Sequence, residues 1–135
     1  MSVRTGDAVS EQNAPMGDLT KNFSRAEFRC PDCRRLDLLD PGLVAVLQRI
    51  RDAVGRPLTV LSGYRCCAKN AAVQGYRFSQ HLYGRAADIP RGYCKPETAL
   101  RAGAVGVGTA AGWVVHVDVE PGRKAHVFRD TAAGG

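Results

Sequence analysis

Ser79-Gln80-His81-Leu82-Tyr83-Gly84-Arg85-Ala86-Ala87-Asp88-Ile89 is the stretch on which the reading of this chain turns. It sets a histidine and an aspartate seven residues apart, with Gly84 between them. A segment of that length can fold back onto the strand that follows, so both side chains can face one point. Ala86 to Ile89 reads as a strand beginning inside a core, and Pro90 ends it. Alone the spacing is weak, because a histidine in a polar loop ordinarily just faces solvent. Two further fragments sharpen it: Ser62-Gly63-Tyr64-Arg65 upstream and His116-Val117-Asp118 downstream. The chain has only 3 histidines, and two of them lie beside these aspartates. Two histidines and a carboxylate are a frequent catalytic zinc set, with the fourth position left for water.

His116 lies in the strand-like run Trp113 to Val119. By simple alternation its side chain shares a face with Val114 and Asp118. An imidazole and a carboxylate among valines are costly to bury unpaired. Either they satisfy each other or face solvent, or His116 binds a metal while Asp118 orients a ligand or a water. His126 falls on the last strand, where a surface or packing role is expected and no metal role.

The clearest helix runs from Asp40 to Gly55. Asp40 suits the N-cap and Pro41 the first helical position. Leu43, Val44, Val46, Leu47, Ile50 and Val54 recur at helical spacing on one face. Gly55 is a natural C-cap, and Pro57 prevents continuation. Ser24 and Glu27 form a capping box before a short helical turn, with Phe23 and Phe28 as anchors. Leu58 to Leu61 reads as a short strand ending at Ser62-Gly63. Ala68 to Val73 and Lys95 to Ala102 read as short helices. Val105 to Gly108 reads as a strand, and Lys124 to Arg129 as the hairpin partner of Trp113–Val119 across Pro121-Gly122. Short strands and helices out of strict alternation predict an α+β fold, a small antiparallel sheet with flanking helices. The expected organisation is a flexible arm over 1–20, a domain over 21–130 and a flexible tail over 131–135.

With 135 residues, 44% of them hydrophobic, the chain is long enough for one domain with a modest core. No apolar run approaches transmembrane length. The first residues lack the apolar centre of a signal peptide, so synthesis in the cytosol is expected, with any action at a wall reached by another route. The net charge of +6 suits a soluble basic surface or attraction to a polyanion. The basic residues are scattered and not interleaved with aromatics, which argues against nucleic acid. An anionic cell wall suits the charge equally well. The 5 cysteines are an odd number, so at least one is unpaired in a monomer. Cys30 and Cys33 form a C-x-x-C, Cys66 and Cys67 are adjacent, and Cys94 stands alone. Free thiols are the default. A disulfide from the Cys30/Cys33 segment to Cys66 or Cys67, or a zinc site using both pairs, stays open.

The fragments together resemble the zinc D-Ala-D-Ala carboxypeptidase family, which includes D-Ala-D-Ala dipeptidases and phage L-alanyl-D-glutamate endopeptidases and shares its fold with the hedgehog signalling domain. That family carries S-G-Y-R, then S-x-H with an aspartate seven beyond the histidine, then H-x-D or H-x-H. Gly84, Ala86, Asp88 and Ile89 also match its G-x-A-x-D-I, and the likeness covers about residues 22–129. The resemblance implies Zn2+ bound by His81, Asp88 and His116. It implies Arg65 stabilising an oxyanion or holding a substrate carboxylate, and Ser79 and Tyr64 contacting substrate. Several relatives carry a glutamate three residues before the last zinc histidine, where this chain has Trp113. Asp118 is the nearest carboxylate in sequence for the role of general base, with Glu120 behind it.

The function this implies is a zinc peptidase acting on D-Ala-containing peptide stems of bacterial peptidoglycan, with a phage lysis or virion-associated enzyme as one setting. A second reading keeps the zinc without the base and makes the chain a wall-binding or virion structural module. Nucleic-acid binding ranks last.

Overall fold

The computed structural model describes residues 17–72 and 79–130. The expectations for the arm over 1–16, for Val73 and for the tail over 131–135 lie outside the described residues. Residues 17–20, at the end of the expected arm, are tied to the domain. The Leu19 N–H donates to the Phe23 carbonyl (3.0 Å), and Thr20 Oγ1 donates to Gln48 Oε1 (2.8 Å).

Helix α1, Pro41–Val54, has the boundaries its sequence predicts. The Asp40 carboxylate accepts from the Gly42 N–H at 2.8 Å, and Gly55 closes the helix. Leu43, Val44, Val46, Leu47 and Ile50 are buried along one face. Upstream, the Ser24 N–H donates to the Glu27 carboxylate at 2.8 Å in the expected capping box, which opens a 3-10 helix over Arg25–Phe28. Two short helices follow: α2, Cys67–Ala72, and α3, Pro96–Arg101.

Among the described residues, four strands make one sheet: β1, Ala86–Asp88; β2, Gly106–Ala110; β3, Trp113–Asp118; and β4, His126–Arg129, in the order β1-β3-β2-β4. The α+β class stands, but the sheet is mixed where the sequence predicts an antiparallel one. β4 is not the neighbour of β3. It pairs with β2, in parallel. Both edges of β3 are already taken, by β1 and by β2, so the returning chain passes over β2 and adds to its free edge. Its direction is the one a hairpin would give, one strand further out. Leu58–Leu61 forms no strand. The Leu61 N–H donates to the Asp88 carbonyl and the Asp88 N–H to the Ser62 carbonyl, both at 2.8 Å. Pairing stops there because β1 has 3 residues and Pro90, just beyond it, has no N–H to offer.

Alternation along β3 is also broken. Its register advances from Val114 to His116 while β2 advances only from Gly108 to Thr109. Val115 is the extra residue of a bulge. Val114 therefore does not share a face with His116 as alternation predicts. It joins Val117 in the core with Val107, Ala87, Ile89, Phe23, Phe28 and the apolar face of α1. His116 and Asp118 are left on the other face.

Because Leu47 is fully buried at the centre of this core, Leu47→Ala should lower unfolding stability by about 2–5 kcal/mol in urea titrations. Val127→Ala, at a half-exposed site on the edge strand, should change it by about 0.5 kcal/mol or less.

Candidate metal centre

Three elements deliver the polar cluster. Asp88 ends β1 and stands directly opposite His116 on β3, so their side chains share a face. His81 comes from a 3-10 helix over Gln80–Tyr83. Ser79 caps that helix, its Oγ accepting from the His81 N–H at 3.2 Å. Gly84 ends it at φ 67, a left-handed conformation that costs glycine little, and a Cβ there would strike the Leu38 backbone. This sharp exit lets seven residues return His81 to the end of β1.

One nitrogen of each imidazole faces Asp88. His81 Nε2 lies 3.2 Å and His116 Nδ1 3.4 Å from Asp88 Oδ1. The ligand atoms of the three residues all lie within 4.8 Å of one another. The other nitrogen of each ring meets an acceptor. His81 Nδ1 is 2.7 Å from the Gly63 carbonyl, and His116 Nε2 is 2.9 Å from Asp118 Oδ2. An acceptor on the outer nitrogen holds the proton there, so each neutral ring turns a lone pair inward. The two rings use opposite nitrogens for this, Nε2 in His81 and Nδ1 in His116. The donor set therefore fits a divalent metal of the zinc type.

Asp118 lies on the outer edge of the His116 ring, away from Asp88. Its Oδ1 accepts from the backbone N–H groups of Gly106 and Glu120, both at 3.1 Å. Gly106 is required by this arrangement, since a Cβ there would fall on the Asp118 carboxylate. Arg65 closes the other side of Asp88. Its Nη2 is 3.2 Å from Asp88 Oδ2, Nη1 is 3.3 Å from Asn70 Oδ1, and Nε is 3.3 Å from Ser62 Oγ.

The structure brings His81, Asp88, His116, Arg65 and Asp118 together. It leaves Tyr64 outside the cluster: its ring is buried and its hydroxyl donates to Asp37 Oδ2 at 3.1 Å. Ser79 acts locally as the cap just described. Glu120 pairs with Arg123 at 3.3 Å, and the Trp113 ring carries the Lys95 ammonium, 4.2 Å from its centroid. His126 accepts no place in the cluster and stacks on Phe128. Three participants were not singled out from sequence. Phe128 meets the His116 ring edge-on at 5.6 Å, and Asn70 holds Arg65. Asp130 lies beside Gly108, and a Cβ built on Gly108 would be 3.0 Å from both Asp130 Cβ and His116 Cβ. Only the pairing of β4 with β2 brings Phe128 and Asp130 to this face, and that pairing is not written in local pattern.

The charges reinforce the geometry. Burial opposes an ionised Asp88, but His116 and His81 outweigh it and hold the carboxyl far below the usual carboxylate range. Burial likewise opposes a charged His116, yet Asp118 and Asp88 hold that imidazole up at about 9. Burial raises Asp118, and His116 with the Glu120 and Gly106 N–H groups more than reverses it.

Comparison with known proteins adds two findings. The peptidase M15 family profile matches residues 16–118. A zinc D-Ala-D-Ala carboxypeptidase of Streptomyces albus G is 41% identical over 59 residues. That stretch is 41% of this chain and spans 23% of the length of the relative.

The raised His116 value predicts a pH dependence in the metal-free protein. A group whose folded value lies above its ordinary 6.5 stabilises fully below 6.5 and loses that contribution as pH rises through about 9. The stability difference between the wild-type chain and His116→Gln, measured by urea denaturation in chelator, should therefore shrink from pH 6.5 to 9. A difference that stays constant or grows across that window would contradict the assignment.

Proposed function

This chain belongs to the peptidase M15 family, and we propose that it is a zinc-dependent peptidase that cuts D-Ala-containing peptide stems of bacterial peptidoglycan. The observation that carries the reading is the cluster of His81 Nε2, Asp88 Oδ1 and His116 Nδ1, with both outer ring nitrogens already held by acceptors. Zn2+ suits two imidazoles and a carboxylate, and the name of the Streptomyces relative points to the same ion and to the D-Ala-D-Ala bond. When bound in such a site, Zn2+ polarises a carbonyl and lowers the pKa of a water.

The chain's own residues divide the remaining work. Arg65 fixes the outer oxygen of Asp88 with one arm of its fork. A guanidinium there offers fixed positive charge to an oxyanion or to a terminal carboxylate of substrate. Asp118 serves as a positioning residue that sets the His116 ring rather than as the general base. Its place on the outer nitrogen and its two backbone donors support this role. Ser79 sets the height of His81 through its cap. The net charge of +6 favours approach to an anionic wall. Action at the wall, as a lysis or virion-associated enzyme, belongs to the same proposal.

The test uses the purified chain on a synthetic stem pentapeptide ending in D-Ala-D-Ala and on purified peptidoglycan, with products read by mass spectrometry. Activity should vanish in chelator, return with zinc, and be lost in His116→Ala. Release of terminal D-Ala would mark a carboxypeptidase, and cleavage inside cross-links an endopeptidase. A zinc-loaded protein that binds peptidoglycan without turnover would overturn the enzyme in favour of a binding module.

Two variants test the assigned roles. Arg65→Lys keeps the charge but loses the fork, and kcat should fall by roughly 10²–10³. Asp118→Asn should weaken zinc binding by about 10–100-fold in chelator competition, with kcat largely kept at saturating zinc. Normal zinc affinity with a collapsed kcat would return Asp118 to the role of base.

A further inference from the structure

We propose that Cys30, Cys33 and Cys66 bind a second zinc ion, on the far side of the Ser62–Arg65 segment from the peptidase centre. The sequence left these thiols open between free cysteines, a disulfide and a metal site, because nothing local shows which cysteines meet. The fold brings three of them together. Their sulfurs all lie within 4.8 Å of one another, and Cys30 Sγ is 3.6 Å from Cys66 Sγ. Thiolates on one tetrahedral zinc, with Zn–S of about 2.3 Å, stand about 3.8 Å apart. Cys67 is exposed, and Cys94 is buried elsewhere with its thiol donating to the Lys95 carbonyl at 3.3 Å, so neither joins the set.

The local backbone carries the sulfurs toward one another. The Cys30–Arg35 loop closes on itself, with the Arg34 N–H donating to the Cys30 carbonyl (2.8 Å) and the Cys30 N–H to the Arg35 carbonyl (2.9 Å). Arg34 holds φ 66, an unfavoured conformation for a side-chain-bearing residue, and this lets the loop turn back. The Lys69 N–H donates to Cys66 Sγ at 3.4 Å. A disulfide would use two sulfurs and leave the third beside it. A zinc-type divalent ion uses all three.

Such an ion would tie the segment that carries Arg65 to the loop that follows Phe28. Cys66 directly follows Arg65, whose N–H donates to the His81 carbonyl at 3.1 Å. Cys30 lies two residues after Phe28, whose carbonyl accepts from the Tyr64 N–H at 2.9 Å.

The experiment is metal loading of the reduced full chain. Cobalt titration should produce a thiolate-to-metal charge-transfer band in the near ultraviolet, saturating by about two equivalents in the wild-type chain and at about one in His116→Ala, which should retain it. A histidine–carboxylate centre contains no sulfur and gives no such band, so the result is independent of the peptidase reading. Zinc content should be about two per chain and fall to about one in either His116→Ala or Cys33→Ser. Absence of the band in reduced wild-type protein, or equal and rapid reaction of all the exposed and half-exposed thiols with a disulfide reagent in saturating zinc, would overturn the proposal. So would a Cys30–Cys66 disulfide found in protein prepared and kept under reductant.

Discussion

The carboxylate of Asp88 is the point at which the separate pieces of this fold meet. Its Oδ1 faces a nitrogen of His81 and a nitrogen of His116, and its Oδ2 faces the Arg65 guanidinium. Its backbone is bonded to Leu61 and Ser62 on one side, while β3 flanks it on the other. A buried carboxylate with so few exposed atoms has to be matched by donors or a metal, because an unpaired one would be driven to protonate. The 3-10 helix of His81, the end of β1, the middle of β3 and the Ser62–Arg65 segment are thus fixed relative to one another by one group. With metal present, the same constraint becomes the coordination geometry.

A second layer surrounds this one, and the backbone supplies most of it. The Gly63 carbonyl sets His81, and the N–H groups of Gly106 and Glu120 set Asp118, which in turn sets His116. Groups held by backbone move little, which keeps side-chain ordering at the site from being repeated on each ligand-binding event. Gly106 illustrates the cost. A glycine inside a strand gives up packing and loses more entropy on folding than a larger residue would, and here that loss leaves room for the Asp118 carboxylate.

Parts of this were legible in the sequence and parts were not, for physical reasons. Helix α1 could be read because capping residues and apolar period agree locally, from Asp40 through Gly55. His81, Asp88 and His116 could be named because their types and order match a known family, although no spacing rule alone brings His116 to Asp88. The bulge at Val115 could not be read, since it arises from register between β2 and β3 and leaves no mark on β3 itself. The place of β4 was missed for a related reason. Its own pattern says strand, while competition for the edges of β3 decides the neighbour. With β4 went Phe128 and Asp130. Tyr64 belongs to the same motif as Arg65, yet the two side chains part, one to Asp37 and one to Asp88. A motif reports that residues matter together and does not report which face each takes.

The fold presents His81 and His116 to one point through different nitrogens, each set by its outer acceptor. Long-range proton–nitrogen correlation NMR of the imidazole rings in zinc-loaded protein tests this most directly. The His81 ring should be protonated at Nδ1 and metal-bound at Nε2, and the His116 ring protonated at Nε2 and metal-bound at Nδ1, with His126 unaffected by zinc. Ring nitrogens of His81 and His116 that do not shift on zinc addition, or two rings bound through the same nitrogen, would contradict it.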